Sequence, residues 1–192
     1  MPTIKTSKEE VLMKASQLIR QRGYAYTSMS DLAEACAIKP SHFYYYFENK
    51  EALMTAILEN ALQLFREHIL IFASDENLTP IEKLDKMLRR MAKAFLYTEG
   101  GCLMGNTVLE TAYFEPKFVD ILRAFFNEFI HALTLVYQAK YTETFARSLA
   151  EQVVQDLEGG IMLSLLYREE RFMMNAFNRA KAYVSATPFP AV

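Results

Sequence analysis

A chain of 192 residues with 52% hydrophobic content can fill a core, and its six glycines and six prolines are too few for a loop-rich all-β protein. The net charge of −2 excludes a surface coated in basic residues, although residues 1–50 hold seven Lys or Arg against five acids, a mild bias toward an anionic partner. Two widely separated cysteines, no apolar leader and no apolar run near the ~20 residues of a membrane span point to a reduced, soluble, cytoplasmic protein.

Helical periodicity runs through almost the whole sequence. Ser7 and Glu10 have capping-box spacing and open a first helix, which Gly23 closes. Its inward face is expected to hold Val11, Ala15, Leu18 and Arg22, widened by Leu12 and Ile19. Ser28 and Asp31 open a second helix with Leu32 and Ala33 inward. The pattern breaks over Cys36–Lys39 and resumes at Pro40, a residue tolerated in a first helical turn. Asn49 caps a longer pattern that runs to about Phe72, with Leu53, Ile57, Ala61, Leu64, Phe65 and Phe72 inward. A polar loop follows, and Thr79, Pro80 and Glu82 start a helix expected to reach about Tyr97. Further helices are expected over 103–111, 116 to about 140, 143–167 and 171–184, with an irregular tail. The class is all-α with about nine helices.

The stretch PSHFYYYF, residues 40–47, has an unusual ring content. On a helix, Phe43 and Phe47 share a face and can enter the core. Tyr44, Tyr45 and Tyr46 then fan around the other side, with Ser41 and His42 on the first turn and Lys50 just beyond. A helix start gathers free N–H groups and partial positive charge, and phenolic hydroxyls can donate to phosphate oxygens. A short turn between two such helices suits a helix-turn-helix, whose second helix lies in the major groove. The competing reading has the tyrosines merely packing against neighbouring helices.

Gly23-Tyr24, Thr27-Ser28, Asp31-Leu32-Ala33, Ile38 and FYYYF followed by Lys50, Glu51 and Leu53 add a pattern to this geometry. On these residues the first ~55 positions resemble the DNA-binding domain of the TetR family of transcriptional regulators. The resemblance implies a three-helix DNA-binding domain at residues 1–48 and a helical ligand-binding and dimerisation domain at 49–192. It implies that Ser30, Ser41, His42 and Tyr44 face bases, and that Ser28, Tyr45, Tyr46 and Lys50 meet phosphates. Two positions depart from the family pattern: Ala37 stands at the turn glycine and Lys39 at the serine cap. A left-handed Ala37 would cost ~1 kcal/mol. Lys39 cannot accept from orphan N–H groups, although it can reach a phosphate.

Beyond residue 73 no shared motif is legible, but rings and methionines are dense. Their default reading is core. Soft apolar walls between helices also suit a lipophilic effector. The candidate lining is Phe65, Ile69, Met87, Met91, Phe95, Cys102, Met104, Asn106, Phe118, Leu122, Phe125 and Phe126. Glu110, Tyr113, His68 and His131 are further polar groups that could orient a ligand. Cys102 precedes a short helix, where an N-terminus lowers a thiol pKa, so electrophile or redox sensing is an alternative. Phe145, Leu149, Val153, Leu157, Gly160 and Ile161, with Phe172, Ala176 and Ala180, form a stripe expected to pair two copies as a homodimer. Gly159-Gly160 within it suggests a close helix crossing.

His42, His68 and His131 are spread over separate helices with no carboxylate or cysteine at metal spacing, and no phosphate loop or nucleophile elbow appears. No catalysis, cofactor or metal is expected. The expected function is a ligand-responsive regulator, a repressor that grips a palindromic operator as a homodimer and is released by a small apolar or aromatic effector. The rival class is a helical lipophile-binding protein that does not touch DNA.

Overall fold

A computed structural model describes residues 7–95, 100–113 and 115–185. Among these residues it contains nine α-helices, one 3-10 turn and no strand, as the all-α reading requires. The helices are α1 Lys8–Arg22, α2 Met29–Ala35, α3 Pro40–Tyr46, α4 Lys50–His68, α5 Pro80–Phe95, α6 Leu103–Thr111, α7 Pro116–Tyr137, α8 Glu143–Tyr167 and α9 Arg171–Ser185.

Local chemistry explains most of these boundaries. The Ser7 hydroxyl accepts the Glu10 N–H at 3.1 Å and starts α1. Ser28 and Asp31 form a complete capping box at α2. The Asn49 side chain accepts the Ala52 N–H at 2.7 Å at the start of α4. The Glu82 carboxylate takes both the N–H and the hydroxyl of Thr79 before α5. Two long patterns stop earlier than their periodicity suggests. The helix after Asn49 ends at His68 and gives way to the 3-10 turn Leu70–Ser74, and of its expected inward residues Leu64 is exposed while Ala61 and Phe72 are half-buried. α7 ends at Tyr137 in a turn rather than near Lys140. The expected end of α5 at Tyr97 and the tail beyond Ser185 lie outside the described residues.

Packing groups the chain into two compact units, residues 1–62 with 102–122, and residues 63–101 with 123–192. In the first, α2 packs on α1 and α3. Its core holds Val11, Ala15, Ile19, Leu32, Phe43, Phe47, Leu53, Ile57 and Phe118. The buried face of α1 centres on Val11, Ala15 and Ile19, with Leu18 half-buried and Arg22 exposed, so it is rotated from the face expected. The turn between α2 and α3 does use a left-handed residue, Ala37 at φ 56°.

In the second unit, Phe65 meets Phe125 at 4.3 Å between ring centroids and meets Phe129 edge-on at 5.2 Å. The Lys83 ammonium donates to the Ala73 carbonyl at 3.0 Å, tying α5 to the 3-10 turn. α8 and α9 form an extended antiparallel seam. Its close point is Gly160, where a Cβ would stand 3.1 Å from Met173 Cα and 3.2 Å from the Phe172 carbonyl oxygen. Near one end of the seam, the Ser164 hydroxyl accepts the Met173 N–H at 3.1 Å. Near the other end α9 is also tied to α7 and to the turn that follows it: the buried Tyr137 hydroxyl donates to the Ala180 carbonyl at 3.1 Å, and Tyr141 donates to that of Tyr183 at 2.9 Å.

Candidate nucleic-acid interface

The chemistry of α3 follows from its seven residues. Pro40 sets φ in the first turn, and Lys39 occupies the N-cap without a side-chain hydrogen bond, its carbonyl accepting the His42 and Phe43 N–H groups at 2.9 and 3.0 Å. Phe43 is completely buried and Phe47 nearly so, their centroids 6.1 Å apart. That anchor decides the orientation of everything else. Ser41 and His42 are exposed, Tyr44 is 52% exposed, Tyr45 is 81% exposed, and Tyr46 is half-buried. The reading in which the tyrosines are packing residues therefore does not describe Tyr44 or Tyr45.

The His42 ring lies 6.2 Å from the Tyr45 ring and 5.3 Å from that of Tyr46. Tyr45 and Tyr46 meet edge to face at 5.7 Å. This i, i+3, i+4 cluster limits ring rotation and presets the direction of two phenolic hydroxyls and an imidazole. Ser30 and Lys39 are exposed alongside. The Ser28 side chain is already engaged, since its hydroxyl caps α2 and donates to Asp31. Those Ser28 donors hold the Asp31 carboxyl below its ordinary pKa.

Lys50 is placed less simply. Its ammonium lies 3.5 Å from the Ala25 carbonyl oxygen and 4.3 Å from the centre of the Tyr24 ring. Burial lowers its pKa, while Glu110 and Asp31 pull the other way. The Tyr24 ring in turn meets Phe118 edge-on at 5.4 Å. Sequence reasoning missed how the turn after α1 is held. The Glu110 carboxylate, from α6, accepts the Ala25 N–H at 3.1 Å. Glu110 was a candidate ligand-orienting group, and no local spacing connects it to residue 25.

The candidate effector lining divides between the two units. Phe65, Ile69, Met87, Met91 and Phe125 are buried in the second, where Phe95 and Phe126 are half-buried. Cys102, Met104, Phe118 and Leu122 are buried in the first, and Asn106 is half-buried. His68, His131 and Tyr113 are exposed. The Cys102 sulfur is the N-cap acceptor of α6, 3.4 Å from the Gly105 N–H.

The pairing stripe is turned inward. Leu149, Val153, Leu157, Gly160, Ile161, Ala176 and Ala180 are buried within one chain, where they pack α8 against α9. Phe172 is half-buried and Phe145 exposed. The large apolar side chains left exposed on these helices are Met162, Leu165, Leu166, Tyr167 and Met174, with Phe145. Periodicity found the apolar face, but the second helix of the same chain consumed it. Among the described residues no cluster of His, Cys, Asp or Glu could hold a metal, and no helix is long and apolar enough to cross a membrane.

Known proteins match along most of the chain. The family model for bacterial regulatory proteins of the tetR family matches residues 11–57. The model for the C-terminal domain of LmrA/YxaF-like transcriptional regulators matches residues 80–179. The chain is 25% identical over 186 residues to an uncharacterized HTH-type transcriptional regulator in the lacX 3' region of Lactococcus lactis subsp. lactis, covering 93% of each protein. It is 28% identical over 169 residues to the HTH-type transcriptional regulator YxaF of Bacillus subtilis, covering 85% of this chain and 87% of that one. The crystal structure of a TetR transcriptional regulator from Legionella pneumophila superposes with a TM-score of 0.85 at 26% identity, over 93% of this chain and 97% of that one.

Proposed function

The chain belongs to the TetR family of DNA-binding transcriptional regulators, and we propose that within it the protein is a ligand-responsive repressor of a palindromic operator. The carrying observation is the exposure of Ser41, His42, Tyr44 and Tyr45 on a helix whose other face, Phe43 and Phe47, is locked into the core. Ser30, Ser41, His42 and Tyr44 are the proposed base readers. Ser28, Lys39, Tyr45, Tyr46 and Lys50 are the proposed phosphate contacts, which fix register while base contacts choose sequence.

In this reading two copies pair through the exposed Met162, Leu165, Leu166 and Met174 with Phe145, and a palindromic operator calls for two reading helices about one DNA turn, ~34–36 Å, apart. A small apolar or aromatic effector that prefers the DNA-incompetent spacing shifts the dimer toward it. At 100 times its dissociation constant such a ligand supplies ~2.7 kcal/mol of bias. A second reading, sensing through Cys102, draws on its place as the N-cap of α6, where its sulfur accepts the Gly105 N–H at 3.4 Å. The test is selection of genomic fragments on purified protein, repeated with candidate lipophiles and alongside light scattering. An enriched inverted repeat, a dimeric mass and lipophile-dependent release are the expected results; a monomer that enriches no sequence would overturn the reading.

A further inference from the structure

We propose that Glu110 is a positioning residue for DNA binding: from α6 it holds the turn between α1 and α2, and with it the seat of Lys50, in the arrangement offered to the DNA backbone. The inference rests on the DNA contacts proposed above.

The turn at Gly23–Ala25 lies between the end of α1 and the Ser28 cap of α2, so the Ala25 N–H has no helical carbonyl to bond. Glu110, 85 residues away in sequence, accepts it at 3.1 Å. The backbone at Gly23 is shaped around the same carboxylate: at φ 89°, a Cβ there would stand 2.8 Å from the Glu110 Oε1. The conformation calls for glycine, and a side chain there would push the flexible end of Glu110 off this position. The Thr27 hydroxyl donates to the Gly23 carbonyl at 2.7 Å and closes the turn from its other side.

The backbone at Ala25 is thus held on both sides. The Ala25 N–H meets an anion, and the Ala25 carbonyl lies 3.5 Å from the Lys50 ammonium, which also sits over Tyr24. Lys50 is a proposed phosphate contact, and Ser28 follows Ala25 by three residues. A shift of the turn moves both. Glu110 touches no nucleotide in this scheme. It acts through the backbone it holds, and the hydrogen bond rather than the negative charge is the active element, since a bare charge here would repel phosphate.

The test compares wild type, Glu110→Gln and Glu110→Ala on a fragment selected by the wild-type protein, with binding read by fluorescence anisotropy. Hydrogen exchange of residues 23–28 and thermal unfolding are measured in parallel. Glutamine keeps an oxygen that can accept from Ala25, so Glu110→Gln stays within about twofold of wild type with unchanged exchange. Glu110→Ala loses about tenfold in affinity, ~1.4 kcal/mol, and residues 23–28 exchange faster. Alanine binding within twofold overturns the inference, as does glutamine falling as far as alanine. If Glu110→Ala does not fold, Glu110→Met, similar in length but without an acceptor oxygen, takes its place under the same criterion. Wild type that enriches no DNA defeats the DNA-contact reading itself, a result distinct from wild type and Glu110→Ala binding equally well.

Discussion

Gly160 lies directly beneath Met173: a methyl group on Gly160 would stand 3.1 Å from the Met173 Cα, a backbone atom that cannot swing aside. Gly159, one residue earlier on α8, has nothing within 4 Å of the same added atom. Two adjacent glycines therefore have opposite sensitivities. Gly160→Ala is expected to destabilise the protein by ~1–3 kcal/mol through overpacking. Gly159→Ala is expected to stabilise it by ~0.4–1 kcal/mol through helix propensity and a less free unfolded chain. Thermal unfolding of both variants checks the pair, and equal melting temperatures would count against the close crossing.

The helix-turn-helix carries two removable strains. Ala37 adopts φ 56°, and Lys39 begins α3 without a side-chain cap. Ala37→Gly is expected to add ~1 kcal/mol, and Lys39→Ser ~0.5–2 kcal/mol. Denaturant unfolding measures both. Lys39→Ser should also weaken DNA binding if Lys39 meets a phosphate, which separates its role in folding from its role in contact.

Lys50→Ala should weaken binding on all sequences alike and reduce the salt slope by about one, since one phosphate contact is lost. His42→Ala should instead alter base preference at one position per half-site. A salt titration tests the first, and a selection experiment returning a different operator tests the second.

Acid should loosen the fold through its hydrogen-bonded carboxylates. Asp31 is held below its ordinary 3.8 by Ser28, Glu82 below 4.5 by Thr79, and Glu128 below 4.5 by Arg66. Folded values below unfolded ones mean that their contribution is complete above the ordinary values and disappears as pH falls through the lowered ones. Melting temperature should hold from pH 7 to about 5 and fall below it. Glu82→Gln should flatten that acid limb.

Both cysteines are sealed, Cys102 at 3% exposure and Cys36 at 1%. Mild N-ethylmaleimide should leave native protein unmodified by mass spectrometry and add two labels after unfolding. Labelling of Cys102 in the native state would show that its thiol is reachable and would favour the sensing alternative.

The parts legible in sequence are those written in neighbouring residues. The caps at Ser7, Ser28 and Asn49, and the sharing of one face by Phe43 and Phe47, follow from spacing alone. What spacing cannot reveal is which surface meets an apolar stripe. The run from Leu149 to Ile161 reads by spacing as a surface for another copy, whereas in the folded chain these residues are buried, with α9 following α8 after a connection of only three residues. Glu110 and Ala25 were invisible for a related reason. A single carboxylate bonding a single N–H across 85 residues has no period, and only the folded chain brings the two together.

The α8–α9 hairpin is clasped twice, by Ser164 toward one end and by Asp156 with Arg179 and Gln152 with Tyr183 toward the other, with Gly160 letting the backbones touch between. A hairpin fastened this way has no soft joint along its length. Any displacement imposed on one of its strands of helix carries the other along, so a molecule that changes the output of this protein has to shift the hairpin as a block or leave it alone.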